Sequence, residues 1–202
     1  MDRSFDAMNT EFIAPDAMGG GMLMKWMIAS DIHGSALFCE MMFERYREEK
    51  ADRLILLGDL LYHGPRNDLP DGYDPKGVIS LLNDHAAELI CVRGNCEAEV
   101  DQMVLHFPVM ADYALLPVGG NVIYMTHGHH ANEQSPPPLK KGDILLCGHT
   151  HVPAHRTYEN FIYLNPGSVS IPKEGSCRSY MTFDGTHFTW KKLDDGRLYD
   201  EI

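Results

Sequence analysis

The chain lacks any apolar run near the roughly 18 residues that a membrane-spanning helix requires. Its first twenty residues carry Asp2, Arg3, Asp6, Glu11 and Asp16, which interrupt any stretch of signal-peptide length. Sulfur is sparse and irregular. The five cysteines (Cys39, Cys91, Cys96, Cys147 and Cys177) are odd in number and show no C-x-x-C spacing, which argues against a disulfide framework and against sulfur-ligated zinc. Cys91 and Cys147 lie inside apolar runs and read as small buried hydrophobes. A cytoplasmic protein is expected. Basic residues are few: 17 Lys and Arg face 29 Asp and Glu, for a formal charge of -12. Non-specific nucleic-acid binding, which depends on counterion release at basic surfaces, is therefore not expected. A phosphorylated substrate is not excluded, because bound cations can reverse the local sign. There is no internal repeat, and no Ser/His/Asp ordering that would suggest a protein nucleophile.

What is present fits one domain. With 202 residues and 44% apolar content, the chain can bury a full core. Residues 1–21 show no sustained periodicity and end in Gly19-Gly20-Gly21. They read as a flexible N-terminal extension, with Met22 or Met24 as an alternative start, ahead of a domain over residues 22–202. Strands are predicted at 25–30, 54–57 and 89–92. Between them, Leu37, Met41 and Met42 mark one helix, and Val78, Leu81 and Leu82 mark another. This alternation points to parallel pairing in an α/β layered domain. Further on, 113–117 and 121–126 flank Gly119-Gly120 as a hairpin. Residues 143–147, 161–164, 180–183 and 187–191 read as later strands, the last two turned by Asp184-Gly185.

The chemistry collects where these strands stop. Asp31, Asp59, Asn95, His127 and His149 each follow a predicted strand. In open α/β sheets, ligands bind beyond the carboxyl ends of the strands, so these loops can converge. Oxygen and nitrogen donors of this kind suit intermediate divalent metals. In the pairs Asp31-x-His33 and His149-x-His151, extended backbone would project both side chains to one face. Asp59 has two oxygens and could bridge two cations, while Asn95 offers a neutral oxygen. Two divalent cations bring +4 against -2 from Asp31 and Asp59, a net positive site that suits a phosphate ester. Taken singly, Gly-Asp is an ordinary turn, a His-x-His pair an ordinary packing or surface feature, and Gly-Asn a place for positive φ. Their succession at five strand ends is what carries the reading.

In order, the sequence shows Asp31-x-His33, Gly58-Asp59, Gly94-Asn95, Thr126-His127-Gly128-His129 and Gly148-His149-Thr150-His151. This set resembles the calcineurin-like metallophosphoesterase superfamily from about Lys25 to near the C-terminus. Closer still is the resemblance to the bacterial YfcE-type phosphodiesterases. It rests on His63-Gly64-Pro65-Arg66-Asn67 after Gly58-Asp59, on Arg93-Gly94-Asn95-Cys96, on Glu99-Val100-Asp101-Gln102-Met103, and on the run from Asn165 to Lys173. The resemblance implies a four-layer α/β/β/α sandwich with a dimetal site at the strand C-terminal ends. One metal would take Asp31, His33, Asp59 and His151. The other would take Asp59, Asn95, His127 and His149. His129 and Glu97 would stand behind these ligands, with Glu97 orienting Asn95 or holding a histidine. For Glu97, a solvated residue opening the next helix is the plainer alternative.

The implied activity is metal-dependent hydrolysis of a phosphodiester. A hydroxide between two metals, most readily Mn²⁺ (with Zn²⁺, Fe or Ni²⁺ as alternatives), would attack phosphorus in line, so Asp59 and Asn95 carry the catalytic assignment. Many superfamily members place a histidine after the Gly-Asn asparagine as general acid. Here Cys96 stands there, as in the YfcE-like branch, and it either serves the leaving group or merely packs. Arg66 and Asn67 are placed at the substrate phosphate or its second ester group. The expected partner is a small phosphorylated substrate, with no membrane, and a homo-oligomer stays open. The alternatives are a phosphomonoesterase of the same fold and a non-catalytic scaffold resembling the retromer subunit. The scaffold type blunts the site by replacing ligands, whereas every expected ligand is present here.

Overall fold

A computed structural model describes residues 24–202. The proposed extension 1–21 and the start at Met22 lie outside the described residues. The parallel strands β1 (Trp26–Ala29), β2 (Arg53–Leu56) and β3 (Leu89–Cys91) pair in that order. Their residues are apolar almost without a break because both faces of this sheet are covered. Met27, Ala29, Leu54, Leu56, Leu89 and Cys91 pack outward against helices. Ile28 and Ile55, with Leu57 and Val92 just past the strand ends, pack inward against a second sheet.

Helix α1 (Ala36–Glu49) follows β1. Its N-cap is Ser35, whose hydroxyl accepts from the Phe38 amide at 3.2 Å, the usual service of a serine there. Lys50 ends it in the left-handed region at φ 51°. The buried face is Phe38, Cys39, Met42, Phe43 and Tyr46, whereas Leu37 is exposed. Met42 is buried and Met41 packs against the core as predicted, whereas Phe38 takes the place expected for Leu37, because an aromatic side chain offers more area to bury. Helix α2 (Pro75–Asp84) opens with proline at its first turn and buries Val78 and Leu82, as the spacing predicts. The short helix α3 (Glu99–Val104) follows β3.

The first sheet is completed by antiparallel strands β9 (Ser179–Phe183), β10 (Phe188–Lys192) and β11 (Leu198–Glu201), in the order β11-β10-β9-β1-β2-β3. The second sheet has the order β4-β5-β6-β8-β7. Its strands are β4 (Tyr113–Val118), β5 (Asn121–Thr126), β6 (Asp143–Leu146), β7 (Pro153–Thr157) and β8 (Phe161–Pro166). β4 and β5 form the expected hairpin, while β5, β6 and β8 run parallel. The sheets meet through an apolar layer that includes Ile123, Met125, Ile144, Leu146, Met181 and Trp190. On the far side of the second sheet, Leu145, Cys147, Phe161 and Tyr163 pack with Leu139, and no helix residue joins that cluster among the described residues. The outermost layer there is the connection between β5 and β6. β7 and β11 are absent from the sequence expectation.

Candidate metal centre

Both sheets deliver side chains to one spot. Asp31 and His33 follow β1, Asp59 follows β2 and Asn95 follows β3. From the other sheet, His127 follows β5, and His149 and His151 follow β6. The backbone that presents them is not extended. Asp31, His33, Asp59, His149 and His151 have φ of 59°, 50°, 56°, 69° and 62°. The expectation that i and i+2 share a face through extended chain is therefore corrected: these pairs converge through left-handed turns. Each such residue costs about 1–2 kcal/mol relative to right-handed backbone. Hydrogen bonds from distant segments hold them, including Asp31 N to Gly58 O at 3.1 Å and His33 N to Asp59 O at 2.9 Å. Ser168 and Ser170 each donate to the Asp31 carbonyl at 2.8 Å.

The imidazoles are aimed by their outer nitrogens. Nδ1 of His33 meets the Tyr62 carbonyl at 2.8 Å, that of His127 meets Leu57 at 2.7 Å, and that of His151 meets Ile171 at 2.6 Å. A carbonyl only accepts, so each Nδ1 carries a proton, and in the neutral ring each Nε2 turns a lone pair inward. Inside the site, acceptor faces acceptor. His33 Nε2 lies 3.2 Å from His151 Nε2, and His127 Nε2 lies 3.1 Å from Asn95 Oδ1. His149 Nδ1 is 3.2 Å from His127 Nε2. Buried Asp31 Oδ1 has no hydrogen-bond partner and sits 3.2 Å and 3.5 Å from Nε2 of His151 and His33. Asp59 Oδ2 stands between the two groups, 3.6 Å from His33 Nε2 and 3.4 Å from His127 Nε2. Metal–ligand bonds of about 2.1 Å put neighbouring donors about 3.0–3.5 Å apart. The arrangement fits two divalent cations sharing Asp59.

The cage draws positive charge, as a cation on these lone pairs or as a proton on an imidazole. Burial pushes the Asp31 carboxyl up, but His151, His33 and His127 outweigh it and hold the group well below the usual range. Asp59 behaves likewise: His127 overcomes burial and the neighbouring Asp31. For His127 the opposing pulls are burial, downward, and then Asp59 and Asp31, which raise it to about 9.

Around the donors the reading is mixed. Glu97 is buried, not solvated, and it holds neither Asn95 nor a histidine. Its Oε2 accepts from the amides of Asp59 at 2.9 Å and Gly94 at 2.5 Å, and its Oε1 accepts from Leu60 at 2.7 Å. It positions the Asp59 turn through the backbone. His129 packs its ring 5.4 Å from that of His127, and burial, then the charge of neighbouring histidines, drives its pKa down to about 4. Burial, then Asp59, pushes the Cys96 thiol well up, so it is held as S–H. Its sulfur accepts from Asn95 Nδ2 at 3.2 Å. Arg66 and Asn67 do reach the pocket over His33, Asp59, Asn95 and His149, and so does Lys173. In the sequence Lys173 stands out only as the end of the run from Asn165. A cation closing a Gly-Ser-x-x-x-Pro loop was the available signal.

Two sheets that close a cage of carboxylate, imidazole and amide donors at their strand ends define a class. The chain belongs to the calcineurin-like phosphoesterase superfamily, whose domain matches residues 24–187. Among its relatives is phosphodiesterase YfcE of Escherichia coli (strain K12), 42% identical over 180 residues, 89% of this chain and 98% of that protein. The solved structure of that E. coli phosphoesterase superposes with a TM-score of 0.86 at 42% identity, covering 89% and 98% of the two chains. A probable metallophosphoesterase of Bacillus subtilis (strain 168), YsnB, is 25% identical over 164 residues, 78% of this chain and 82% of that one.

Proposed function

We propose that the protein is a metal-dependent phosphodiesterase whose reaction centre is the cage shared by Asp31, His33, Asp59, Asn95, His127, His149 and His151. The observation that carries this is the inward-facing set of lone pairs, with Asp59 Oδ2 between the two histidine groups. Bound there, a pair of divalent cations supplies Lewis acidity and makes water a competent nucleophile near neutral pH. The chain's own residues do the rest. Asp59 Oδ1 is occupied by the Cys96 amide at 2.8 Å, which leaves Oδ2 free to be shared. Asn95 contributes an oxygen without charge, so the cage stays net positive toward a phosphate. Arg66 and Lys173 add cations at the pocket mouth, suited to the substrate's non-bridging oxygens. Cys96, held as S–H by burial and Asp59, is a weak proton donor for the departing alkoxide.

Diesters are favoured over monoesters by the named activity of the E. coli relative. Among metals, Mn²⁺ is the proposed ion, because the donors are oxygen and imidazole without thiolate. We place the protein in the cytoplasm on its free thiols, of which Cys39, Cys91 and Cys147 are buried. The test is to strip the purified chain with a chelator, reload it with Mn²⁺, Zn²⁺ or Ni²⁺, and assay a panel of diesters and monoesters. Mn²⁺-restored hydrolysis with diesters ahead is expected. Metal-independent hydrolysis, or none with any ion, would sink the reading.

A further inference from the structure

Beside the metal pocket lies a second groove of about 370 Å³. The pocket itself offers only about 40 Å³ on the same measure, where a single water needs about 10–15 Å³. It holds the phosphoryl oxygens and little more, so the alcohols of a diester must lie outside it. The two spaces share Arg66 and Asn67 as a common wall. The groove's back wall is Ser170 and Ile171, the residues that bind the Asp31 carbonyl and the His151 ring. It therefore begins directly behind the metal donors.

Arg178 lines this groove. Its guanidinium carbon lies 4.0 Å from the centroid of the Phe38 ring. Its Nε is buried with no hydrogen-bond partner, and among the described residues the side chain forms no ion pair. A guanidinium set over an aromatic face, with no acceptor for its donors among the described residues, is suited to oxygens of a carboxylate or phosphate. Asp68 and Asp71 also face the groove, both exposed, so a diffuse anion gains little there. The groove rewards an oxyanion set on the Arg178 edge.

We infer that this groove is the subsite for one alcohol arm of the diester, and that Arg178 selects an arm bearing a carboxylate or a second phosphate. The inference rests on the phosphodiesterase reading. Three p-nitrophenyl diesters with a common leaving group test it. Their second alcohol is ethanol, 3-hydroxypropanoate or 2-hydroxyethyl phosphate, and p-nitrophenolate release by the Mn²⁺-loaded full chain is followed. The charged arms are expected to exceed the ethyl arm in kcat/KM by about tenfold or more, chiefly through KM. The better of the two names the oxyanion. Arg178→Met keeps an apolar side chain over Phe38 and should cut the charged-to-ethyl ratio about 10- to 100-fold. Arg178→Lys should retain part of that ratio, and it carries the test if the methionine variant does not fold. A wild-type ratio near one, or an equal loss on all three substrates, would overturn the subsite alone. Hydrolysis of none of the three would overturn the diesterase reading beneath it.

Discussion

Asp59 is the residue on which both halves of the cage depend. Asp59→Asn keeps its shape and its bond from the Cys96 amide, but removes the charge at Oδ2. The expected result is metal affinity lower by more than about 100-fold, beyond the 10- to 100-fold usual for residues behind a ligand. Metal content after dialysis, read by atomic emission, checks this. Two ions retained per chain would contradict it. Cys96 makes the second residue-scale prediction. General acid catalysis is worth about 100- to 10,000-fold and matters most for basic leaving groups. Cys96→His should therefore raise turnover of an alkyl diester more than that of a nitrophenyl diester, as measured by their rate ratio. At this scale the set of converging residues was legible because their types and chain order are visible. Their left-handed φ angles were not visible, since those depend on bonds such as Asp31 N to Gly58 O. Glu97 misled for the same reason. The Asp59 and Leu60 amides it serves lie 38 and 37 positions away.

Elements bring Asp59 and Asn95 together by letting the ends of β2 and β3 nearly touch. Gly58 has φ +94°, and a Cβ built on it would fall 2.3 Å from the Gly94 nitrogen. Neither the backbone angle nor the space tolerates a side chain. Gly58→Ala should destabilise the chain by about 1–3 kcal/mol and weaken metal binding in the same variant. Urea unfolding and metal titration together check this, and loss of stability with unchanged metal affinity would refute the coupling. The parallel strands β1, β2 and β3 were legible because burial on both faces leaves them continuously apolar. β7 and β11 were not. All four residues of β11 are exposed, and β7 begins at Pro153 with its last three residues exposed. These two edge strands take their shape from a neighbour's hydrogen bonds, and, unlike in β4, no hydrophobic alternation marks them. α1 was legible through Met41 and Met42, whereas Leu37 is exposed and Phe38 is buried in its place.

Across the whole molecule, Glu49 ties the end of α1 to the first sheet. It meets Lys25 and Lys191 at 2.7 Å and the Tyr180 hydroxyl at 2.8 Å. Burial pushes its pKa up, but Lys191, Lys25 and Tyr180 prevail and lower it from the ordinary 4.5. A carboxylate with a depressed folded pKa stabilises fully above its unfolded value and loses that contribution as pH falls through the folded one. Wild-type stability should therefore drop below about pH 4.5 more steeply than that of Glu49→Gln, which should already be weaker by about 1–3 kcal/mol near neutrality. Urea titrations from acid to neutral pH would show parallel curves if the ion pairs contribute nothing. Metal should act on the same stability. At 100 times its Kd an ion adds about 2.7 kcal/mol, so chelation should lower Tm by about 5–10 °C, as calorimetry would show.

Four donors hang from one sheet and three from the other, and no strand ladder joins the two layers, only apolar packing and scattered hydrogen bonds such as Trp190 Nε1 to Asn165 O at 2.7 Å. Bound by these donors, the ions would act as rivets through two plates. A slip of about one ångström between the plates breaks a coordination shell whose bonds tolerate about 0.2 Å, while every strand ladder stays intact. Mild denaturant or pressure should thus spill the metals, and silence the enzyme, well before the protein unfolds.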